Sequence, residues 1–409
     1  MANAFNKEEI VLFEKVLEKF DKNTMMSQKA AQFDPPGETM QRTGDIIWRP
    51  QPYIAETVDG LDVTGAYEDL LELSVPSRTD HFKTVPWKLN ALALRDQHYM
   101  SRQTDAAAQA LAAEIEKSLA LNVSITGGHF IKRGALTGYD DIAECDTSMT
   151  EIGVQTGDRN FFFNSRDYNK VASNLAGRQT LDGKALTALE KSIIGQYAGF
   201  DTYKIDIQPR LQAAAGGATT VNGANQVLTP AATSTAATGE VSNVDNRYQY
   251  LVVDNTAGVV AGDAFTITTV NRVHMITKQN TGTLFTNRVV EVVNGTTLKV
   301  LAMIDAGFYQ NVTNAPGDGA SLVWLNTVAA PTNVFWQGSS VEVVRGRLAV
   351  ESFADSMAVM NGTTDQGVNI TMAKQANIDD FTQKYRWTVY YGVNNLNPLM
   401  NGIMVANQT

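Results

Sequence analysis

Cysteine is almost absent from this sequence, since Cys145 is the single thiol among 409 residues. One thiol cannot form an intramolecular disulfide, and such sparse usage fits a reducing compartment. No histidine neighbours Cys145 in the sequence, which favours a small buried hydrophobic residue over a reactive thiol. The fold must therefore depend on hydrophobic cores rather than on covalent cross-links.

Histidine is also scarce, and none of the four residues stands in a metal-binding pattern. There is no HExxH pair and no cysteine partner at zinc-site spacing, so neither a zinc site nor a facial triad is indicated. We expect a surface or core role for each of them, and we expect no metal and no cofactor: His81, His98, His129 and His274.

Short catalytic motifs are missing as well. The segment from Gly177 to Lys184 resembles a phosphate loop, but it has one residue too many and Ala185 stands where the magnesium-binding hydroxyl belongs. The acidic pairs Asp140-Asp141 and Asp379-Asp380 are predicted to begin helices, where carboxylates complement the helix dipole. An enzyme with an unrecognised site stays an alternative that no specific feature favours.

The chain also lacks long apolar runs and clusters of basic residues. No stretch is long enough to span a bilayer, and two glutamates precede the first apolar run, so we expect a protein made in a cytoplasm without a signal peptide. Lys and Arg number 33 against 43 Asp and Glu, which gives a formal charge of −10. This balance disfavours a protein that grips nucleic acid phosphates.

What the sequence does contain is ordinary globular composition, with 44% hydrophobic and 19% charged residues, and enough length for several domains. The spacing predicts an amphipathic helix from Lys7 to Phe20 with Asn6 and Glu9 as a capping box. Its apolar stripe comprises Ile10, Phe13, Leu17 and Phe20. This helix either docks on its own chain or binds a different chain.

Two longer patterns follow in the next part of the chain. Residues 44–92 contain extended segments, IIWRPQPYIAE and LLELSVP, which predict a long two-stranded excursion that needs cover from elsewhere. The segment RDQHYMSRQTDAAAQALAAEIEKSLALNV then predicts a long spine helix that ends at Gly127-Gly128. Its buried face is predicted to carry Ala107, Leu111, Ile115 and Leu119.

The predicted secondary structure changes in kind twice along the rest of the chain. Up to Pro209 it is mixed, with a strand at NFFFN, helices at RDYNKVASN and residues 186–197, and a strand at FDTYKIDIQ. From Val241 short strands separated by turn signals indicate an all-β sandwich or barrel. Mixed character resumes after Pro331, including a short helix near Ile378–Phe381, so the β unit is predicted to be an insertion.

The segment MSQKAAQFDPPGETMQRTGDIIWRP, residues 26–50, closely resembles the coat proteins of short-tailed lambdoid bacteriophages between the N-terminal arm and the extended loop. Further matches occur in the same order along the chain: LLEL, FFFNSRDYNK, AGFD, NVDNRY, NVFW and YGVN. Each identity is short, but together they are colinear over almost the whole chain. The chain therefore resembles a major capsid protein of this type.

The resemblance implies an α+β tailed-phage major capsid fold with an inserted all-β barrel of telokin-like type. It implies the following divisions: an N-terminal arm at 1–43, an extended loop at 44–92, the spine helix and peripheral domain at 93–170, part of the axial domain at 171–220, the inserted barrel at 221–332, and a return to the axial and peripheral domains at 333–409. The main alternative is a tail or fibre component with a receptor-binding β domain, although the chain has no internal repeat.

The resemblance also implies function and partners. Copies would form pentamers and hexamers of an icosahedral procapsid with scaffolding and portal proteins, and the shell would expand around packaged double-stranded DNA without sequence-specific binding. Scaffolding contact near the N-terminus would involve charge, and this sequence offers Glu8, Glu9, Glu14 and Glu18. The resulting location is the virion capsid, assembled in the bacterial host cytoplasm.

A second site concerns the stretch from Leu211 to Gly239, which carries no charge. We expect its first part to be a hinge at Gly216 and Gly217. In the related coat proteins the part just before NVDNRY is a charged loop implicated in contacts between capsomers. Here the corresponding loop offers Leu228, Pro230, Thr233, Thr235 and Glu240. If it bridges capsomers, it does so without salt bridges.

Overall fold

The structure is a computed structural model that describes residues 5–35, 46–52, 54, 61, 64, 71–90, 97–177, 191–192, 194–348, 357–377 and 379–408. Its α-helices within these ranges are α1 Lys7–Asn23, α2 Met25–Gln28, α3 Gln97–Thr126, α4 Tyr139–Glu151 and α5 Ser165–Ala176. Its strands are β1 Ala31–Phe33, β2 Ile46–Pro50, β3 Ser74–Arg78, β4 His81–Asn90, β5 His129–Lys132, β6 Arg159–Asn164, β7 Gln196–Tyr197, β8 Phe200–Ile205, β9 Arg210–Leu211, β10 Thr233–Thr235, β11 Val241–Asn243, β12 Tyr248–Val252, β13 Ala264–Val273, β14 Asn280–Val292, β15 Thr297–Leu301, β16 Leu322–Trp324, β17 Ala330–Gln337, β18 Val341–Arg345, β19 Ala358–Thr363, β20 Asn369–Asn377, β21 Thr382–Asn395 and β22 Asn401–Val405.

The chain divides into two compact units. The first comprises Met1–Ile47, Ser77–Leu119 and Glu342–Asn394, and the second comprises Trp48–Pro76, Ala120–Val341 and Asn395–Thr409. Helix α3 contributes to each unit in turn. The predicted spine helix is confirmed, because α3 runs for 30 residues and ends directly before Gly127. Its predicted buried face is also confirmed, with 2% exposure or less at Ala107, Leu111, Ile115 and Leu119.

The first unit is built on a sheet with strand order β1-β18-β21-β20-β19, and β4 pairs with β21 as well. No local pattern predicts strand β4, because Pro86 stands in its middle and its partner strand lies about 300 residues away. Antiparallel pairing of β4 extends over ten residues of β21, from Asn90 opposite Thr382 to His81 opposite Tyr391. A proline is tolerated here because β4 lies at an edge.

The predicted helix near Ile378–Phe381 is wrong. Asp379 and Asp380 instead form the turn of a hairpin, since β20 and β21 pair antiparallel from Ile370 opposite Val389 to Asn377 opposite Thr382. Eight paired residues outweigh the local preference of an acidic pair for a helix N-terminus. The other acidic pair is placed correctly, because Asp140 and Asp141 lie in the first turn of α4.

The second unit contains a mixed sheet with order β5-β22-β17-β6-β8-β7. Strand β6 and helix α5 confirm the predicted NFFFN strand and the helix that follows it, and β8 confirms the strand at FDTYKIDIQ. Helices α4 and α5 cover a core that includes Phe161, Phe163 and Phe335. Half of the helix predicted at 186–197 falls outside the described residues, and its last two residues form β7.

The inserted β unit is a barrel, as predicted. Five strands form the order β12-β15-β14-β13-β16 around a core that includes Leu251, Phe265 and Val300. Residues 219–222 close the ring between its two edges, because Thr220 bridges to Ser321 and Val221 bridges to Val253. Their backbone groups bond on both sides, with Leu322 N–H donating to Thr219 O at 3.1 Å and Asp254 N–H donating to Thr220 O at 3.1 Å.

The two ends of the insertion lie next to each other in the structure. Their positions differ from the predicted bounds of residues 221 and 332. Ala330 pairs with Leu211 and Pro331 with Arg210, so β9 and β17 form its stem. The predicted hinge at Gly216 instead packs on the barrel, because a Cβ there would lie 2.7 Å from the Trp324 ring. We therefore propose residues 212–329 as the insertion in place of 221–332.

Expressed alone, residues 212–329 are expected to fold and to melt roughly 10 °C above residues 221–330. The shorter fragment loses half of the closing strand, and it also loses the hydrogen bonds from Ala214 N–H to Asn326 O at 2.7 Å and from Trp324 Nε1 to Gly217 O at 3.2 Å. Thermal unfolding followed by circular dichroism measures the difference. Equal melting temperatures would contradict the role of residues 212–220.

Candidate assembly surfaces

Helix α1 docks on the sheet of its own unit. Its buried apolar residues are Phe13, Val16 and Phe20, whereas Ile10 is 41% exposed, so the predicted stripe is wrong at that position. The Phe13 ring stacks on Trp387 with centroids 5.6 Å apart. A Cβ at Gly362 would overlap the same ring, so only glycine fits beneath the helix there.

Glu9 belongs to this inner face and is joined to the sheet. Its carboxylate accepts hydrogen bonds from Lys374 Nζ at 2.7 Å, from the Tyr385 hydroxyl at 2.8 Å and from the Asn6 backbone N–H at 2.9 Å. Burial and the nearby carboxylate raise the pKa of Tyr385. Glu9 therefore lies inside the subunit, and the predicted capping contact with Asn6 is present.

The other three predicted glutamates lie on the outer face of α1. Glu8 and Glu14 are exposed, and the Glu18 carboxylate binds Lys22 Nζ at 2.5 Å. The hydrogen bond to Lys22 lowers the pKa of Glu18. The outer surface is mixed in charge, since lysines stand between the glutamates. We therefore keep these three residues as the proposed contact surface and leave Glu9 out of it.

The uncharged loop forms a projecting hairpin at the surface of the barrel. Strands β10 and β11 pair from Thr233 opposite Asn243 to Thr235 opposite Val241, and every residue from Thr233 to Asn243 is exposed. Asn246 fixes the base by bonding both the N–H and the C=O of Ala231 at 3.0 and 2.9 Å.

The five residues predicted for this loop separate into two groups. Thr233, Thr235 and Glu240 are exposed on the hairpin. Leu228 and Pro230 are partly buried at its base, where Leu228 packs against a small apolar cluster and its N–H donates to Met303 O at 2.8 Å. The tip of the hairpin is therefore exposed, whereas its base is fixed to the barrel.

Two buried arginines on the barrel strands β13 and β14 were not predicted from the sequence. Arg272 donates to His129 Nδ1 at 2.9 Å and to Gly128 O at 3.1 Å, and Arg288 donates to Gly262 O at 2.8 Å and to Ser124 O near the end of α3. Burial lowers the pKa of Arg272 to about 10 and that of Arg288 to about 9, so both are charged at neutral pH. They hold the barrel against strand β5 and the end of α3.

The groups considered for chemistry have structural positions. His129 is buried, and desolvation together with Arg272 holds its pKa well below the usual range, so its neutral ring accepts at Nδ1 and donates from Nε2 to Leu399 O at 2.9 Å. Cys145 is buried, as predicted, and burial raises its pKa. Among the described residues there is no group of three or more His, Cys, Asp or Glu able to hold a metal.

The segment that resembles a phosphate loop and the three remaining histidines show no site for chemistry in the described part of the chain. Most of the segment from Gly177 to Lys184 lies outside the described residues, as does the side chain of His98. The Nε2 atom of His81 lies 3.4 Å from Oδ1 of Asp80. The Nδ1 atom of His274 accepts hydrogen bonds from the backbone N–H groups of Ile276 and Thr277. No helix in the described ranges is long and apolar enough to cross a membrane.

Several solved structures are similar to this chain over part or most of its length. A chain from Mycobacterium phage Che8 is 11% identical, with 93% of this chain and 90% of that chain covered at a TM-score of 0.45. The capsid of the cyanophage P-SCSP1u is 12% identical, with 94% and 88% covered at a TM-score of 0.47. The I-domain of the CUS-3 coat protein is 31% identical, and it covers 27% of this chain and 95% of its own length at a TM-score of 0.21.

The family comparison covers nearly the entire chain. The family described as P22 coat protein, gene protein 5, matches residues 1–406. This range includes the docked N-terminal helix, the spine helix, both large sheets and the inserted barrel. The α+β fold and the capsid role implied by the sequence resemblance are thereby confirmed, and this chain belongs to the P22 coat protein family.

Proposed function

We propose that copies of this phage capsid protein assemble with a scaffolding protein into an icosahedral procapsid, which expands and encloses double-stranded DNA. The observation that carries the proposal is the family match over residues 1–406. The same match favours a shell protein over the tail or fibre alternative. Pentamers and hexamers of this chain would form the shell, and a portal protein would occupy its DNA entrance.

The physical properties of the chain suit such a container. A formal charge of −10 disfavours adhesion of packaged DNA to the shell wall. The projecting hairpin and the outer face of α1 are surfaces that a neighbour or a scaffolding protein can cover. Contacts of this kind are weak one at a time, but a closed shell multiplies them.

Co-expression with the scaffolding protein tests this function. We expect the chain to sediment as large uniform particles, and we expect it to sediment as small species when the scaffolding protein is omitted. A chain that stays monomeric or trimeric with its scaffolding protein present would contradict the proposal.

The outer face of α1 is the proposed scaffolding contact, through Glu8, Glu14 and Glu18. Replacing Glu14→Lys together with Glu18→Lys is expected to reduce procapsid yield at least tenfold while the monomer stays folded, because both side chains point to solvent. Sedimentation and circular dichroism measure the two effects. A matched charge change at two exposed acidic residues elsewhere, Asp206→Lys with Glu291→Lys, should leave the yield unchanged.

The β10–β11 hairpin is the proposed contact between capsomers. Replacing Ala231–Ala237 with a short Gly-Ser turn is expected to leave the subunit folded, because the hairpin projects from the barrel, and to lower the temperature at which shells dissociate. Heated shells can be followed by light scattering. The control is a Gly-Ser replacement of the exposed Val293–Thr296 turn on the same barrel. Equal shell stability in the two variants would mean that the hairpin has lost this role.

A further inference from the structure

The β20–β21 hairpin ends in an exposed aromatic residue in an unfavourable conformation. Phe381 is 74% exposed and has φ +48°, a left-handed backbone that disfavours bulky side chains. Glycine or asparagine would turn the chain there at lower cost. Folding of the subunit does not account for a phenylalanine at this position, whereas burial against a partner would.

A groove lies beside this hairpin on the sheet face opposite α1. Paired residues of antiparallel strands share a face, and alternate residues lie on opposite faces. Because Trp387 stacks on α1, Arg386 lies on the other face with its partners Ala373 and Pro86. The groove measures about 590 Å³, and its lining includes these three residues together with Gln375 and Lys384.

The charges of the hairpin turn and of the groove are complementary. Lys384 and Arg386 are exposed in the groove lining, and neither has a carboxylate partner within the described part of the chain. In the turn, the hydrogen bonds from Lys88 and Thr382 hold the pKa of Asp380 at about 2. Asp379 is also exposed, and no basic side chain in the described ranges pairs with it. An acidic aromatic turn and a basic apolar groove thus lie on one surface of the same unit.

We propose that the Asp379–Phe381 turn of one copy inserts into this groove of a second copy, with Phe381 on the apolar floor and Asp379 beside Lys384 and Arg386. We take the occupant to be a second copy because its turn offers an exposed aromatic ring and the Asp379 carboxylate to a groove that carries Lys384 and Arg386. This inference rests on the proposed shell assembly, and it adds a specific contact between subunits. A contact between two different patches of the same surface is repeated from copy to copy around a closed assembly.

Cysteine cross-linking between two single variants tests the contact. Chains carrying Phe381→Cys and chains carrying Gln375→Cys are co-assembled with the scaffolding protein, and the shells are isolated and oxidised. We expect covalent dimers on a denaturing gel from the mixture and monomers from Gln375→Cys alone. The native Cys145 does not interfere because it is buried. The control pair is Tyr250→Cys with Gln375→Cys, since Tyr250 is 65% exposed on the barrel.

The outcomes separate this inference from the proposed function. If the unsubstituted chain forms no shells, the proposed function fails before the cross-link is tested. If the mixed chains form intact shells without dimers above the Tyr250 control, the contact is overturned and the shell function stands. Protection of the Gln375→Cys thiol from alkylation without dimer formation would mean that another segment fills the groove, and this would also overturn the proposal. Phe381→Ala should weaken shells, and Phe381→Tyr should restore them.

Discussion

Lys374→Met is expected to remove about 3–5 kcal/mol from the free energy of unfolding of the first unit. The substitution leaves the Glu9 carboxylate buried without its cation, since the Glu9 and Lys374 side chains are only 9% and 8% exposed. Glu9→Gln should have a similar effect by leaving the Lys374 ammonium unpaired. Denaturant unfolding of the isolated subunit measures both changes, and hydrogen exchange of α1 shows whether the helix detaches.

The double variant Glu9→Leu with Lys374→Met distinguishes the effect of an unpaired buried charge from the effect of altered side-chain packing. Replacement of both charges by apolar side chains is often neutral or stabilising, so the double variant should recover most of the loss. Glu18→Gln is the surface control, because Glu18 and Lys22 are 67% and 69% exposed, and it should leave unfolding unchanged. If Lys374→Met and Glu9→Gln lowered the free energy of unfolding as little as this control, the docking of α1 through Glu9 would be contradicted.

Gly392→Ala is expected to cost about 3 kcal/mol, at the upper end of over-packing effects. A Cβ at this position would overlap the backbone carbonyl oxygen of Arg78 and lie 2.9 Å from its carbonyl carbon. Backbone atoms cannot move aside as a flexible side chain can. We expect the variant to give little soluble subunit at 37 °C, and we expect denaturant unfolding at 25 °C to show the loss directly.

Gly157→Ala supplies the matched control for this prediction. No heavy atom lies within 4 Å of a Cβ placed at Gly157, so the same chemical change should be nearly silent there. Equal stability of the two variants would contradict the close approach of β21 to Arg78 and Thr79. It would also mean that the glycine of the YGVN match has no packing role.

Local signals in the sequence predicted the helices well. Helix α3 combines strong helix formers with two terminal glycines, and its buried positions follow from spacing alone. The predicted α1 stripe is displaced because it starts at the apolar Ile10, which lies on the outer face of the helix. The spacing of Glu9, Phe13, Val16 and Phe20 is also helical, and it identifies Glu9 as an inward residue. That signal was present, but a buried glutamate is recognised only when its partner Lys374 is known.

Long-range pairing explains what the sequence could not predict. Strand β4 contains Pro86, and no local pattern reveals that β21 extends alongside it. The hairpin at Asp379 depends on the same distant pairing. The barrel closure by residues 219–222 was hidden because glycines flank this segment on both sides, at positions 216, 217 and 223, so that it reads as a linker. Arg272 and Arg288 likewise appear as surface residues until the strands place them against Gly128 and Ser124.

Electron cryomicroscopy of particles formed with the scaffolding protein tests the central claim most directly, which is that this chain builds an icosahedral shell. We predict closed icosahedral particles in which each subunit shows the α3 spine, the sheet that carries α1, and a β-barrel attached through a stem at Leu211 and Ala330. Uniform small oligomers or fibres in place of shells would contradict the account.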